Sequence, residues 1–270
     1  MSYPQRTISG VATDVFSTPV PTPSSSTIFS PQPARDYSRP NYLTRRYEIA
    51  YLSDSGTVEM TTSLAPAIPE FEEAFSSFAR GTVIATTEGP VAIEDLVPGM
   101  EALTAEGRKE QIMWIGSMTL FPSRASLGLE TAKMTRITTE AFGVGRPTPD
   151  LMLGNRARLL LRDARCRSIT NAEAAYAPAV SFVDGVSIIE VTPAAPITVY
   201  NVVLRRHGSL RAAGLEIESY HPGGAVADRL DAQLSSLFLS LFPHVRSFVE
   251  FGPMTFPRMT SFEVEAALLG

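Results

Sequence analysis

Cysteine is nearly missing from this chain: Cys166 is the one thiol in 270 residues. A lone cysteine forms no intramolecular disulfide and leaves no Cys cluster for zinc. Set in Arg165-Cys166-Arg167, it reads as a loop cysteine without a role. Basic charge does not prevail either. The formal charge is −5 and the sequence pI about 5.3, which argues against nucleic acid as a partner, because phosphate binding needs a basic footprint. No apolar run reaches the length of a membrane span. The N-terminus MSYPQRTISGVATDVF shows no stretch that reads as a secretory signal or an anchor. No membrane partner is expected, a cytoplasmic location is the default, and non-classical secretion stays open. Also missing are a Ser-His-Asp set, a phosphate loop and a metal-ligand cluster, so no cofactor and no metal are expected.

What is there points to a globular part. The hydrophobic fraction of 44% is ordinary, and the length allows one generous domain or two small ones. Residues 1–43 are rich in Pro, Ser and Thr, bury too little apolar area to offset ordering entropy, and are expected to be flexible. Residues 44–76 read as a hairpin and a short helix leading into the domain. Arg46 to Leu52 alternates, Ser53-Asp54-Ser55-Gly56 turns, and Thr57 to Met60 alternates again. Glu70 to Phe78 carries Phe71, Phe75 and Phe78 on one helical face.

Further on, Ile112-Met113-Trp114-Ile115-Gly116, Arg136-Ile137-Thr138 and Ile188 to Thr192 read as strands, with Trp114 in the core. Ala172 to Ala179 reads as a helical turn. Arg156, Arg158, Arg162, Arg165 and Arg167 form a basic run, read as a solvated strand edge. Residues 224–270 hold a C-terminal amphipathic helix, with Val226, Leu230, Leu234, Leu237 and Leu241 on one stripe ended by Pro243. A Phe- and Met-rich tail follows, expected to dock or to bind something.

The most specific pattern begins at Ser77: Ser77-Phe78-x-x-Gly81-Thr82-Val83-Ile84-x-Thr86, then Gly89, then Val91-x-Ile93-x-Asp95-Leu96-x-x-Gly99. Physically this is a β-branched strand, a turn, a returning strand, and a second turn in which Pro98 fixes one backbone angle and Gly99 accepts the positive one. The pattern resembles the opening motif of the Hint (hedgehog/intein) self-processing domains, with Ser77 at the position of the usual cysteine nucleophile. Two further segments resemble that family in the right order. Asp150 to Leu160 is similar to the central segment of the bacterial subgroup, and Val199-Tyr200-Asn201, His207 and Ala212-Ala213-Gly214-Leu215 are similar to the closing region. The Trp-Ile-Gly at Trp114 also resembles bacterial relatives. The resemblance covers about residues 77–223. It implies a mainly β, compact Hint-like fold of short strands and hairpins.

The chemistry that the resemblance implies is depleted. A serine hydroxyl needs an adjacent base, where a cysteine supplies some thiolate unaided. The family's central histidine protonates the leaving amide nitrogen, a role worth roughly 10² to 10⁴ in rate; its position here is Ala157. Gly154 stands where a supporting Ser or Thr is expected, Asn201 where an Asp is expected, and Glu218-Ser219 where inteins end in His-Asn. His207 reads as a surface turn histidine, and Tyr220 to Gly223 as an exit turn. Ser77 itself reads either as a nucleophile position or as a small residue between a helix and a strand. These changes favour a Hint fold that has lost autoprocessing and acts as a binding or structural module, with an unknown protein partner. The alternative is a slow autoprocessing domain in which Ser77 performs an N to O acyl shift and the chain parts between Ser76 and Ser77.

Overall fold

The computed structural model describes residues 42–122 and 132–269; of the flexible segment expected at residues 1–43, residues 1–41 lie outside them. Thr44–Leu52 (β1) and Val58–Pro66 (β2) form the expected hairpin, paired without a register break. Gly56 closes its turn at φ +80, a conformation costly for a residue with a Cβ. Pro69–Glu73 (α1) opens with proline at its first position, where the missing N–H costs nothing.

The phenylalanine spacing predicts a helix as far as Phe78, but α1 stops at Glu73 and Phe78 enters the strand Phe78–Ala79 (β3). The extended backbone gains ladder bonds that a helical turn would forgo. Ser77 N–H donates to Tyr200 O (3.0 Å) and Ser77 O accepts from Gly154 N–H (2.8 Å).

Val83–Thr86 (β4) and Gly89–Ala92 (β5) make the hairpin of the opening motif, and Gly99 takes the predicted positive φ at +102. Glu101–Leu103 (β6) follows, then the long strand Lys109–Leu120 (β7). Met134–Ile137 (β8), Leu151–Gly154 (β9) and Arg158–Leu161 (β10) come next, then helix Ala164–Thr170 (α2). Ala175–Pro178 (β11), Ile188–Val191 (β12), Ile197–Leu204 (β13), Ser209–Ala212 (β14) and Leu215–Glu218 (β15) complete the strands. All strand ladders are antiparallel, and β7 is their spine, pairing with β1, β6 and β13.

Three sequence expectations are corrected here. The alanine-rich stretch forms strand β11 rather than a helical turn. Its small side chains let the C-terminal helix Ser261–Leu269 (α5) approach, so Ala175 and Ala177 pack with Met259, Val264 and Ala267. Cys166 is not in a loop; it is fully buried in α2. The amphipathic stripe is split into Gly224–Arg229 (α3) and Ala232–Ser240 (α4), because Leu230 is extended and Asp231 caps the second helix through Leu234 N–H (2.8 Å).

Two large cores result. One gathers Tyr47, Phe75, Trp114, Phe238 and Phe242; the other gathers Phe78, Ile84, Ile112, Val202 and Ile217. The chain crosses from the first to the second at Ser76-Ser77. Trp114 is fully buried as expected, and its Nε1–H donates to Leu241 O (2.7 Å), tying the α4 end to the spine. Gly116 lies beneath the Trp114 ring: an added Cβ would stand 2.1 Å from the ring edge and 2.5 Å from Phe75. Gly116→Val is therefore expected to destabilise the fold by about 1–3 kcal/mol through overpacking. Urea unfolding followed by Trp114 fluorescence measures this, and an unchanged midpoint would refute the packing assignment.

Candidate functional site

Ser77 lies between α1 and β3 and is buried, with 3% of its surface exposed. It shares a small cavity with Asn201 on β13, with Glu218 and Ser219 at the end of β15, and with Arg156 and Arg158 at the start of β10. The segments singled out by sequence, far apart in the chain, thus meet at one place. That place is nearly full. The cavity measures about 10 Å³, no more than one water occupies.

An ion network fills it. Arg158 Nη2 donates to Glu73 Oε1 (2.6 Å), and its Nη1 lies 3.5 Å from Glu218 Oε2. On the other side of Glu218, Arg258 Nε donates to both carboxylate oxygens (2.9 and 3.1 Å), and Arg258 Nη2 donates to His221 O (2.6 Å). Burial works against the Glu218 charge. Arg258, the His207 hydrogen bond and Arg158 outweigh it, and the carboxyl pKa ends below its ordinary value. Burial likewise opposes the Arg158 charge, and Glu73 and Glu218 override it, so the guanidinium pKa is raised. Burial also pushes the Tyr220 phenol well above its usual range.

Arg258 arrives from the C-terminal tail. Tyr176 N–H donates to Pro257 O (2.8 Å) and Met259 N–H donates to Tyr176 O (2.8 Å), so the tail adds one parallel rung to β11. The alternation of an extended chain then aims Arg258 inward at Glu218.

The individual candidates fare as follows. Asn201 is buried; its Nδ2 donates to Glu73 O (3.3 Å) and its Oδ1 accepts from Val202 N–H (3.0 Å), which fastens the end of α1 to β13. Ala157 is packed in the second core, held by hydrogen bonds to Gly154 O (3.1 Å) and from Ala179 N–H (2.9 Å), and does not line the cavity. Gly154 touches the carbonyl that a nucleophile at Ser77 would attack. A Cβ there would lie 2.6 Å from Ser76 O and 2.4 Å from Ser76 Oγ. A serine or threonine at this position has no room.

His207 is not a surface histidine; it is 5% exposed. Thr255 N–H donates to its Nδ1 (3.0 Å), which places a ring proton on Nε2, directed at Ser219 O (3.1 Å) and Glu218 Oε1 (3.3 Å). His221 is also buried, so the exit turn is part of the packed structure. Gly223 N–H donates to its Nδ1 (2.9 Å) and its Nε2–H donates to Gly252 O (2.9 Å). The basic run divides: Arg158 is in the network, while Arg162, Arg165 and Arg167 pair with Glu216, Asp163 and Glu173 near the surface. Sequence reading missed Glu73, Arg158 and Arg258 as a set. One local signal existed: in Leu215-Glu216-Ile217-Glu218, Glu218 is a charge closing a half-buried strand, and it needs a partner. Among the described residues no group of three or more His, Cys, Asp or Glu is arranged to hold a metal, and no helix is long and apolar enough to cross a membrane.

The family model for the Hint domain matches residues 76–224, over half the chain, and the protein belongs to that family. The solution structure of a bacterial intein-like domain from Clostridium thermocellum is 13% identical, covering 54% of this chain and 99% of its own, with a TM-score of 0.36. The crystal structure of the MchDnaB-1 intein is 12% identical, covering 53% of this chain and 99% of its own, with a TM-score of 0.33. No relative is found among curated proteins.

Two outcomes are expected of the site. Glu218→Ala strands two arginines in a dry setting and should cost about 3–5 kcal/mol, as removal of one member of a buried ion pair does; an unfolding free energy within 1 kcal/mol of wild type, taken as about the error, would refute the network's role. Stability should also fall in mild acid. Burial lowers His221, chiefly by desolvation, to about 4, and His244 to about 4 for the same reason. Depressed histidines favour the neutral folded form, so stability present above the ordinary value near 6.5 declines as pH drops toward 4. Glu218 adds to the loss lower still. Urea unfolding at pH 8, 6 and 5 should show the decline, and a flat profile would exclude it.

Proposed function

We propose that this Hint domain has lost self-cleavage and serves as a binding or structural module. The observation that carries the proposal is the state of the position next to Ser77: a cavity of about 10 Å³ in which guanidinium and carboxylate groups pair with each other. An N to O acyl shift requires Ser77 Oγ to attack the Ser76 carbonyl carbon, lose its proton to a base, and see the amide nitrogen protonated. None of the neighbours suits these tasks. Glu218 is held ionised between two arginines and is committed to them. Asn201 is no base, and Ala157 offers no proton. The Gly154 N–H, which could stabilise charge on an oxygen, is given to the Ser77 carbonyl (2.8 Å). A nucleophile without a base, an acid or an oxyanion donor retains little of the acceleration that those groups supply.

Intact mass decides the matter. Full-length protein should remain at 29.2 kDa through incubation with hydroxylamine or a thiol, and Ser77→Cys should do so too. Fragments parting between Ser76 and Ser77 in the unaltered chain would overturn the proposal and establish slow autoprocessing, whereas fragments from Ser77→Cys alone would refute the argument that the site lacks a usable acid and oxyanion donor. Gly154→Ser, which restores the family's hydroxyl, is expected to lower stability by about 1–3 kcal/mol without producing cleavage.

A further inference from the structure

The Ser77 site is closed, whereas strand β2 is open. Among the described residues β2 pairs only with β1. Val58, Met60, Thr62 and Leu64 share one face and are all exposed, Met60 by 83% and Leu64 by 69%. The hairpin register also settles which backbone groups are free. Ser53 N–H donates to Thr57 O and Ala67 N–H donates to Leu43 O. Both bonds belong to odd-numbered pairs in an unbroken antiparallel register, so the odd pairs carry the β1–β2 hydrogen bonds. The N–H and C=O groups of Val58, Met60, Thr62 and Leu64 therefore point away from β1. Sheet edges are commonly blunted by lysine, proline or a bulge. From Val58 to Ala65 this edge has none of the three, and Glu59 is its one charge.

We propose that β2 pairs with β2 of a second copy of this chain, antiparallel and centred on Thr61, to form a two-fold symmetric dimer. This register sets Val58 opposite Leu64 of the second copy and Met60 opposite its Thr62. All four outward-facing residues of each strand then find hydrogen-bonding partners, about eight bonds at two per pair. The apolar side chains meet on one face, and Glu59 meets Ser63 rather than another Glu59. Centring on Thr62 would set Val58 against Pro66, which has no N–H to give and whose oxygen already accepts from the Tyr47 hydroxyl (3.0 Å), so both end pairs would be poor. Centring on Met60 would bring Leu64 opposite Gly56, outside the strand. At the Thr61 centre the two copies face each other in the narrow kind of pair, Cα atoms about 4.5 Å apart, within the range of about 4.4–6.8 Å that a disulfide spans.

Sedimentation velocity on the full chain at about 5 to 200 µM, a range that brackets edge-pairing affinities of micromolar order, should show a concentration-dependent rise from 29.2 kDa toward twice that mass. Thr62→Pro removes an outward N–H and leaves every β1–β2 bond in place, and Met60→Lys adds charge to the edge. Each should weaken dimerisation about 10-fold or more, equivalent to about 1.4 kcal/mol, with the far-UV spectrum unchanged. Thr61→Cys should form a covalent dimer on oxidation, while Ser63→Cys should not; Cys166 is buried and stays silent. A wild-type monomer throughout the range overturns the proposal, as does a dimer indifferent to both Thr62→Pro and Met60→Lys. Cross-linking through Ser63→Cys but not Thr61→Cys overturns the register.

Discussion

One buried carboxylate sets the terms for the centre of this protein. Glu218 is almost wholly removed from water, and an isolated charge there would cost several kcal/mol. Its partners come from three separate parts of the chain: Arg158 from the start of β10, His207 from the turn before β14, and Arg258 from the tail. Satisfying one charge therefore dictates where all three must lie. Glu73 then anchors the far side of Arg158 and draws in α1, whose end Asn201 also holds. The fold delivers these groups to the cavity that Ser77 lines, and here they answer one another.

The tail is part of that arrangement. Its rung on β11, the Thr255 bond to His207 and the Gly252 bond to His221 fix the path of residues 252–259, and Arg258 lines the cavity with Ser77. Hydrogen bonds to both histidine rings run through main-chain atoms, so the tail's path matters more than most of its side chains. Arg258 is the exception.

Much of the fold was legible in the sequence because its signals are local. Alternation and Gly56 gave the hairpin, Pro98-Gly99 gave the turn, and the strand around Trp114 declared itself by composition. Errors arose where distant contacts overrode local preference. The phenylalanine period carried the expected helix on to Phe78, but the bonds of Ser77 to Tyr200 and Gly154 pulled the backbone straight. Ala175 and Ala177 favour a helix in isolation and form a strand because they pair with Leu161 and Leu159 of β10. Ser77, Asn201 and Glu218 stood out in the sequence by resemblance to the family's motifs, and that they line one cavity is seen only in the fold. That the His207 ring is bonded to Ser219 and Thr255, and that Arg258 reaches Glu218, depends on pairings 12, 48 and 40 residues apart, which leave no periodic trace.

The reach of Arg258 has a consequence for synthesis on the ribosome. Glu218 emerges 40 residues before the guanidinium that neutralises it, and Glu73 waits 85 residues for Arg158. At about 5–20 residues per second, the first gap alone lasts roughly 2–8 seconds. During that interval Arg158 and His207 are the partners Glu218 has, and the third, Arg258, is still to come. A chain that stalls before Arg258 leaves Glu218 without the two hydrogen bonds that this guanidinium supplies.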